Sequence, residues 1–154
     1  MLKKHWKGIL VSIIVALLFG FLGSILGGDM NNYTYLNKPW FSPPSIVFPI
    51  VWTILYVLMG LASYMVYQSD TNYKTMSLSL YIAQLIVNSL WTLFFFRLEW
   101  RLFAFIWLLF LIVLVIATIC KFYKISKVSA YLLVPYLIWL IFAAILNYSI
   151  YFLN

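Results

Sequence analysis

Neutral polar and aromatic side chains recur at helical spacing inside long apolar stretches of this sequence. One stripe, with offsets of three, four and three, consists of Tyr81, Gln84, Asn88 and Trp91. A second stripe consists of Tyr136, Trp139, Ala143 and Asn147, and a third of Trp52, Tyr56, Ser63 and Tyr67, with Gly60 between them. Phenols, indoles and carboxamides stack on rings and exchange hydrogen bonds without carrying charge. The stripes therefore predict recognition of a flat, largely apolar ligand.

Ionisable groups are absent from the interior of the same stretches, which argues against several kinds of chemistry. No Asp, Glu, Lys, Arg or His lies there, whereas proton transport and voltage sensing depend on such groups at membrane depth. His5 and Cys120 are the single residues of their types and stand at the ends of two stretches, so they cannot form a metal cluster. No nucleophile is paired with a base. We expect neither a hydrolase, nor a proton pump, nor a metal site.

Five apolar runs must position these stripes, and each has about 20 residues or more. The runs span 6–26, 45–67, 76–96, 102–120 and 129–153. As helices rising 1.5 Å per residue, they match a hydrocarbon core roughly 30 Å thick, whereas barrel strands would be shorter and alternating. The chain is 66% hydrophobic and 8% charged, too apolar for a water-soluble domain. The sequence predicts an all-α integral membrane bundle of five transmembrane helices, one domain over residues 1–154.

A chain that crosses a membrane five times exposes its connections on alternate sides, and the basic residues are distributed unequally between these two sides. Seven lie on one side: Lys3, Lys4, Lys7, Lys74, Lys121, Lys124 and Lys127. Three lie on the other: Lys38, Arg97 and Arg101. The positive-inside rule then places the N-terminus in the cytoplasm and the C-terminus outside, so the net charge of +7 reflects topology rather than nucleic-acid binding. We expect the first run to be a retained helix, not a cleaved signal peptide, in a bacterial cytoplasmic membrane.

The connection 29–44 is the longest in the chain and is unusually stiff. Three prolines restrict its backbone, namely Pro39, Pro43 and Pro44. Its aromatic residues are Tyr33, Tyr35, Trp40 and Phe41. Such a segment is either a lid over a site beneath it or part of the aromatic belt at the membrane surface.

Polar residues of three runs fall at a common depth. Trp52, Asn88 and Asn147 lie roughly 9 to 12 Å below the outer ends of their helices, and the small residues Gly60 and Ala143 would leave room beside them. This convergence predicts a pocket in the outer half of the membrane, roofed by the proline-rich connection. The alternative is that the amides only hydrogen-bond between helices.

Two features bear on assembly. Gly23 and Gly27 have the spacing at which helix backbones approach closely, which indicates either a homodimer seam or close packing within one bundle. The fourth run carries no polar stripe, so we expect it to face lipid or a second subunit.

Several spaced motifs together resemble one known family. Residues 33–44 read YTYLNKPWFSPP and residues 47–60 read VFPIVWTILYVLMG. Residues 84–91 read QLIVNSLW and residues 135–148 read PYLIWLIFAAILNY. These segments are similar to the translocator protein, or tryptophan-rich sensory protein, family, and the likeness covers essentially the whole chain. The loop tryptophan, Trp40, is displaced by one residue from its usual place in the family. The cholesterol motif proposed for the family needs a basic residue after the helix-5 tyrosine, and none follows Tyr148, so we do not predict cholesterol recognition.

The resemblance implies a five-helix bundle, often dimeric, that needs no cofactor and binds porphyrins such as protoporphyrin IX or benzodiazepine-type drugs. It further implies that Trp52 and Trp139 occupy positions linked in the family to light-dependent porphyrin breakdown. The candidate ligand-binding residues, from stripes and resemblance together, are Tyr33, Trp40, Phe41, Pro43, Pro44, Trp52, Tyr56, Gln84, Asn88, Trp91, Trp139, Ala143 and Asn147.

Four functions follow from these predictions. The first is a porphyrin receptor for sensing, scavenging or transport, in which the acidic groups of the ligand reach Lys38, Arg97 or Arg101. No buried His or Cys is placed to hold iron, which favours the metal-free porphyrin. The second is an enzyme-like protein that degrades porphyrin with Trp52 and Trp139. The third is a small-molecule transporter, which is less favoured because the chain shows no inverted halves typical of alternating access. The fourth is an assembly partner that binds no ligand.

Overall fold

The structure, a computed structural model, describes the backbone of residues 2–28 and 30–154 and the side chains of residues 5–28 and 33–154. Asp29, at the start of the predicted loop, and the side chains of Lys3 and Lys4 lie outside the described residues. The helices are α1 (Leu2–Gly27), α2 (Val47–Tyr67), α3 (Lys74–Thr92), α4 (Arg101–Ile125) and α5 (Lys127–Leu153). A short 3₁₀ helix spans Met30–Tyr35, and a π-helical turn, Leu93–Arg97, continues α3. The described residues contain no strand.

All five α-helices are long and apolar enough to cross a membrane, which confirms the predicted all-α membrane bundle. The helices form a ring in the order α1, α2, α5, α4, α3, in which each packs against the next and α3 closes onto α1. The end of the bundle that carries the 28–46 connection is called the loop end. The opposite end, where Lys74 and Lys124 lie, is called the lysine end.

The junction between α4 and α5 differs from the predicted boundaries. α4 continues five residues beyond the predicted end at Cys120, and α5 begins at Lys127 after a single extended residue, Ser126. The Ser126 Oγ accepts a 3.3 Å hydrogen bond from the Ser129 backbone N–H and so caps α5. Lys121 and Lys124 do not end α4, because their long side chains can extend toward the polar interface while the backbone stays helical.

α1 and α2 approach most closely toward the lysine end. A Cβ at Gly60 would lie 2.5 Å from the Cα of Ile13, so only glycine allows this contact. Further along, Gly8 faces the ring of Tyr64, whose hydroxyl is 2.8 Å from Nδ1 of His5. The expectation that Gly60 leaves room in the pocket is therefore wrong, because the space beside it holds the backbone of α1.

α1 is joined to α3 by side chains that bond to its carbonyl groups. The Ser89 Oγ donates to the Phe19 carbonyl at 2.8 Å, and the Thr92 Oγ1 donates to the Gly23 carbonyl at 2.6 Å. A Cβ at Gly23 would lie 3.5 Å from the Cα of Ser89. Gly23 therefore packs inside the bundle. This favours close packing within one bundle over a homodimer seam as the explanation of the Gly23 and Gly27 pair.

Candidate functional site

A cavity of about 460 Å³ lies in the loop-end half of the bundle. Its walls come from α1, α2, α3, the π-helical turn and α5, and a few loop residues close its upper part. The predicted site residues that line it are Tyr33, Trp52, Tyr56, Asn88, Trp91, Trp139, Ala143 and Asn147. Its size lies within the roughly 300 to 1,000 Å³ typical of small-molecule sites. The fold thus brings together residues that are separated by more than a hundred positions.

The other predicted site residues lie outside the cavity wall. The side chain of Trp40 is 94% exposed, and Phe41 packs edge-on against Phe142 with ring centroids 6.1 Å apart. Pro43 and Pro44 shape the loop and do not line the cavity. Gln84 is fully buried, about one helical turn from Asn88 toward the lysine end.

Aromatic rings form much of the cavity wall. Trp52 stacks on Tyr56, one turn further along α2, with centroids 5.6 Å apart and planes inclined by 29°. The Trp52 ring also meets Tyr136 edge-on at 6.1 Å. On the α5 side, Trp139 packs against Phe48 at 5.9 Å. These contacts restrict the rings to fixed orientations, so that they offer preformed faces to a planar ligand.

A chain of neutral hydrogen bonds closes the floor of the cavity. The Asn88 Nδ2 donates to the hydroxyl of Tyr56 at 3.3 Å and to that of Tyr136 at 3.0 Å. The Tyr136 hydroxyl in turn donates to Oε1 of Gln84 at 2.7 Å. Gln84 and Asn88 therefore link α2, α3 and α5, as expected if the amides hydrogen-bond between helices. Asn88 also faces the cavity, as expected if it belongs to a binding site. Both explanations hold for Asn88, whereas Gln84 serves the network alone.

The indole N–H of Trp139 is a free donor in the wall. Its Nε1 is buried and has no hydrogen-bond acceptor among the described residues. By contrast, the indole of Trp91 donates to Oδ1 of Asn147 at 3.0 Å. A buried donor without an acceptor costs free energy, about 1 to 3 kcal/mol. A ligand atom that accepts from Trp139 would remove that cost.

The loop over the cavity is packed as a small core of its own. Tyr33 is 7% exposed, its ring meets Phe48 edge-on at 5.1 Å, and its hydroxyl donates to the Pro43 carbonyl at 3.0 Å. Burial raises the pKa of the Tyr33 phenol, so the O–H stays protonated and remains a donor. The Lys38 ammonium donates to the Tyr33 and Leu36 carbonyls at 2.8 and 3.3 Å.

A second set of contacts joins this loop to the end of α5. The Asn37 backbone N–H donates to Oδ1 of Asn154 at 3.2 Å, and Nδ2 of Asn154 donates back to the Asn37 carbonyl at 2.9 Å. This pair is called the Asn37–Asn154 clasp. With the Tyr33 contacts, it holds the loop across the upper end of the cavity, which favours the lid over the interfacial belt.

The basic residues predicted to meet acidic ligand groups have other partners. Arg97 donates through Nε to the Leu26 carbonyl at 2.7 Å and through Nη2 to the Ile25 carbonyl at 3.0 Å, which caps α1. Arg101 is 13% exposed, lies 3.9 Å from Glu99 and sits over the ring of the wall residue Phe95 at 5.3 Å, without lining the cavity itself. Neither they nor Lys38 line the cavity.

Sequence reasoning missed the contributions of α1 and of the π-helical turn to the wall. Leu17, Gly20 and Ser24 line the cavity from α1, and Phe95 and Phe96 line it from the turn. Small residues along α1 were a signal, because they make room on one face. The π-helical turn had no such signal, although such turns are common at functional sites.

A five-helix membrane bundle with an aromatic-walled cavity under a proline-rich loop defines the class of protein. The sequence profile of the TspO/MBR family matches residues 11–153. The tryptophan-rich protein TspO of Archaeoglobus fulgidus is 36% identical over 148 residues, covering 95% of this chain and 96% of that protein. The tryptophan-rich sensory protein of Cereibacter sphaeroides is 40% identical, and the match covers 86% of this chain and 82% of that protein. The human translocator protein is 36% identical, and the match covers 85% of this chain and 80% of that protein.

The chain therefore belongs to the TspO/MBR family and is an integral membrane protein.

Proposed function

We propose that the cavity binds porphyrins such as protoporphyrin IX and other flat aromatic molecules, and that the protein acts in tetrapyrrole sensing, scavenging or transport. The observation that carries this proposal is an aromatic-walled cavity of about 460 Å³ that contains the unpaired N–H of Trp139. A planar ring with acceptor atoms complements both features. Neither His nor Cys lines the cavity, which favours a metal-free porphyrin over haem.

The test is a titration with protoporphyrin IX, followed by quenching of tryptophan fluorescence. We expect saturable binding by the unchanged protein and at least tenfold weaker binding by a Trp52→Phe, Trp139→Phe double variant. Trp6→Phe is the matched control, since Trp6 is 55% exposed and lies at the other end of the bundle. Equal affinity in the double variant and the control would contradict binding in this cavity.

Light-dependent breakdown of the porphyrin is the second candidate. The supporting observation is that two indoles, Trp52 and Trp139, lie in the wall of one cavity, with Trp52 stacked on Tyr56. An indole would give one electron to the photoexcited porphyrin, so the indole is oxidised and the porphyrin reduced, and dissolved dioxygen would supply the oxidant for ring opening. Illumination should then remove the porphyrin absorption faster in the complex than for free porphyrin. Equal bleaching rates would exclude this activity and leave binding intact.

We further propose that the lysine end lies in the cytoplasm of a bacterial cell, and that two copies form a homodimer. The charge bias supports the first statement, and the family resemblance supports the second. Size-exclusion chromatography with light scattering in a defined detergent measures the assembly directly, and a purely monomeric mass would contradict the dimer.

A further inference from the structure

We propose that ligands reach the cavity sideways, from the acyl chains of the loop-end leaflet, through a gap between α1 and α2. The gap is bordered by Phe21 and Ser24 on α1 and by Pro49 and Thr53 on α2, and these four residues are called the portal. The proposal rests on the proposed function in one respect, namely that the cavity holds a ligand.

The portal residues both line the cavity and face outward. Phe21 is 64% exposed, and Ser24, Pro49 and Thr53 are exposed as well. Ser45, four residues before Pro49, also lines the cavity and is exposed, so the opening extends to the start of α2. A residue that closes a cavity is buried between the cavity and its neighbours. Residues that line the cavity and are also exposed mark the place where the wall is open.

The packing of α1 explains why the gap exists at this place. Toward the lysine end, α1 and α2 are held together by the contact of Gly60 with Ile13. Nearer the loop end, Gly20 contacts Tyr56, where a Cβ on the glycine would lie 2.5 Å from the ring. Beyond Gly20, the hydrogen bonds that other helices donate to carbonyls of α1 come from Thr92 on α3 and from Arg97 in the π-helical turn. Toward the loop end, α1 is thus hydrogen-bonded to α3 and to the π-helical turn, while its cavity-lining residues Phe21 and Ser24 remain exposed.

The depth of the gap places it opposite lipid. Thr53 lies six residues after the start of α2 at Val47, and Phe21 six residues before the end of α1 at Gly27. At 1.5 Å per residue, both are about 9 Å below the helix ends, within one leaflet of a hydrocarbon core roughly 30 Å thick. A molecule passing at this depth comes from acyl chains and not from water.

The alternative route, through the loop, is closed by more contacts. It would require the ring of Tyr33 to leave Phe48 and the Asn37–Asn154 clasp to open. Across the portal, by contrast, no hydrogen bond or ring contact is described between its residues on α1 and those on α2.

The portal also indicates the class of ligand that uses it. The Thr53 Oγ1 donates to the Pro49 carbonyl at 2.7 Å and the Ser24 Oγ to the Gly20 carbonyl at 3.3 Å, so both hydroxyl oxygens keep acceptor capacity. Otherwise the opening is apolar. A membrane-dissolved planar molecule with a few donor groups on its edge fits this opening, whereas a highly charged solute does not.

The first experiment needs no porphyrin. A cysteine is placed inside the cavity by Ala143→Cys, in a Cys120→Ser background because Cys120 is exposed. Its reaction with a membrane-soluble pyrene maleimide is followed in lipid nanodiscs. Thr53→Trp and, separately, Ser24→Trp fill the portal and should slow the reaction at least tenfold. Ile54→Trp and Leu22→Trp are matched controls, since both residues are exposed neighbours that do not line the cavity, and should change the rate less than twofold.

The second experiment locks the loop. Asn37→Cys and Asn154→Cys, again with Cys120→Ser, are joined by a short bifunctional thiol reagent, and the rate of protoporphyrin IX association is measured. We expect a change below twofold, while Thr53→Trp slows association at least tenfold. A tenfold slowing by the lock, or portal variants that react as fast as their controls, overturns the lateral route. If labelling follows the portal but no variant binds porphyrin, the route stands and the proposed function fails.

Discussion

The indole of Trp91 on α3 donates a 3.0 Å hydrogen bond to the Oδ1 of Asn147 on α5. The Nδ2 of the same amide donates to the Arg101 carbonyl in the first turn of α4 at 2.9 Å. One carboxamide therefore joins three helices, while it also lines the cavity. The residue serves both the architecture and the candidate site, so its replacement should affect stability and binding together.

Replacing Asn147 by Leu should lower the free energy of unfolding by about 1 to 2 kcal/mol, because it leaves the Trp91 N–H and the Arg101 carbonyl without a partner. Trp91→Phe removes the shared bond from the other side. The double variant should show a coupling energy of about 0.6 kcal/mol, the average for such bonds in membranes. The measurement is reversible unfolding in mixed micelles, and strictly additive effects would argue against the bond.

Two glycine substitutions should differ sharply in their effect on stability. Gly60→Ala places a methyl group 2.5 Å from the Cα of Ile13, which forces α1 away from α2 and should cost about 2 kcal/mol or more. Gly23→Ala meets Ser89 at 3.5 Å, an ordinary contact, and should cost less than about 0.5 kcal/mol. Thermal unfolding of both variants in one detergent checks the difference, and equal melting temperatures would contradict the close approach at Gly60.

Trp139→Phe keeps an aromatic ring in the wall but removes the unpaired N–H together with one ring of the indole. Because that donor has no acceptor within the described structure, the loss of the N–H should not itself lower folding stability. The affinity for a ligand that accepts from it should drop about tenfold, close to the roughly 1 kcal/mol expected for one hydrogen bond. Binding titrations compare protoporphyrin IX with a flat hydrocarbon of similar size, which should bind equally well to both forms. An unchanged porphyrin affinity would mean that the N–H does not meet the ligand.

Arg97→Ala should loosen the end of α1, because the carbonyls of Ile25 and Leu26 lose their charged donor. We expect faster amide hydrogen exchange in residues 20–28 and a loss of stability of about 1 to 2 kcal/mol. Arg97→Lys should recover part of this, since the ammonium keeps the charge but lacks the planar fork whose Nε and Nη2 reach the two carbonyls at once. If amide hydrogen exchange in residues 20–28 is unchanged in Arg97→Ala, the cap that Arg97 provides is not needed to hold the end of α1.

The orientation of the chain can be tested with two single cysteines in a Cys120→Ser background. Tyr35, at the loop end, is 87% exposed, and Asn72, at the lysine end, is exposed too. If the lysine end is cytoplasmic, a membrane-impermeant maleimide should label Tyr35→Cys in intact spheroplasts. Asn72→Cys should be labelled only after permeabilisation. The reverse pattern would invert the proposed topology.

Much of the arrangement was predictable, because helical periodicity determines which side chains share a face. Asn88 and Trp91 on one helix, and Trp139 and Asn147 on another, were placed on single faces by their spacing, and all four line the cavity. Periodicity does not say which helix a face will meet. Gly60 lies on the stripe of α2 yet contacts α1, because the helix ring order depends on the packing of all five helices at once.

The remaining differences have local causes. Phe95 and Phe96 reach the cavity through a π-helical turn, and a continuous apolar run does not reveal the extra residue in that turn. The Asn37–Asn154 clasp joins positions far apart in the chain, and it pairs the Asn154 carboxamide with backbone groups of Asn37, which any residue supplies. Such contacts follow from the fold and leave no pattern in the residue types.

α4 contributes no residue to the cavity wall, although it packs against both α3 and α5. Its outward side, which includes Ile106, Val113 and Ile116, is exposed on the far side of the bundle from the α1–α2 gap. A fluorophore or an affinity handle fixed there would report on the surrounding membrane without touching the cavity wall. The exposed side of α4 and the cavity are thus separate parts of the molecule, and each can be altered independently of the other.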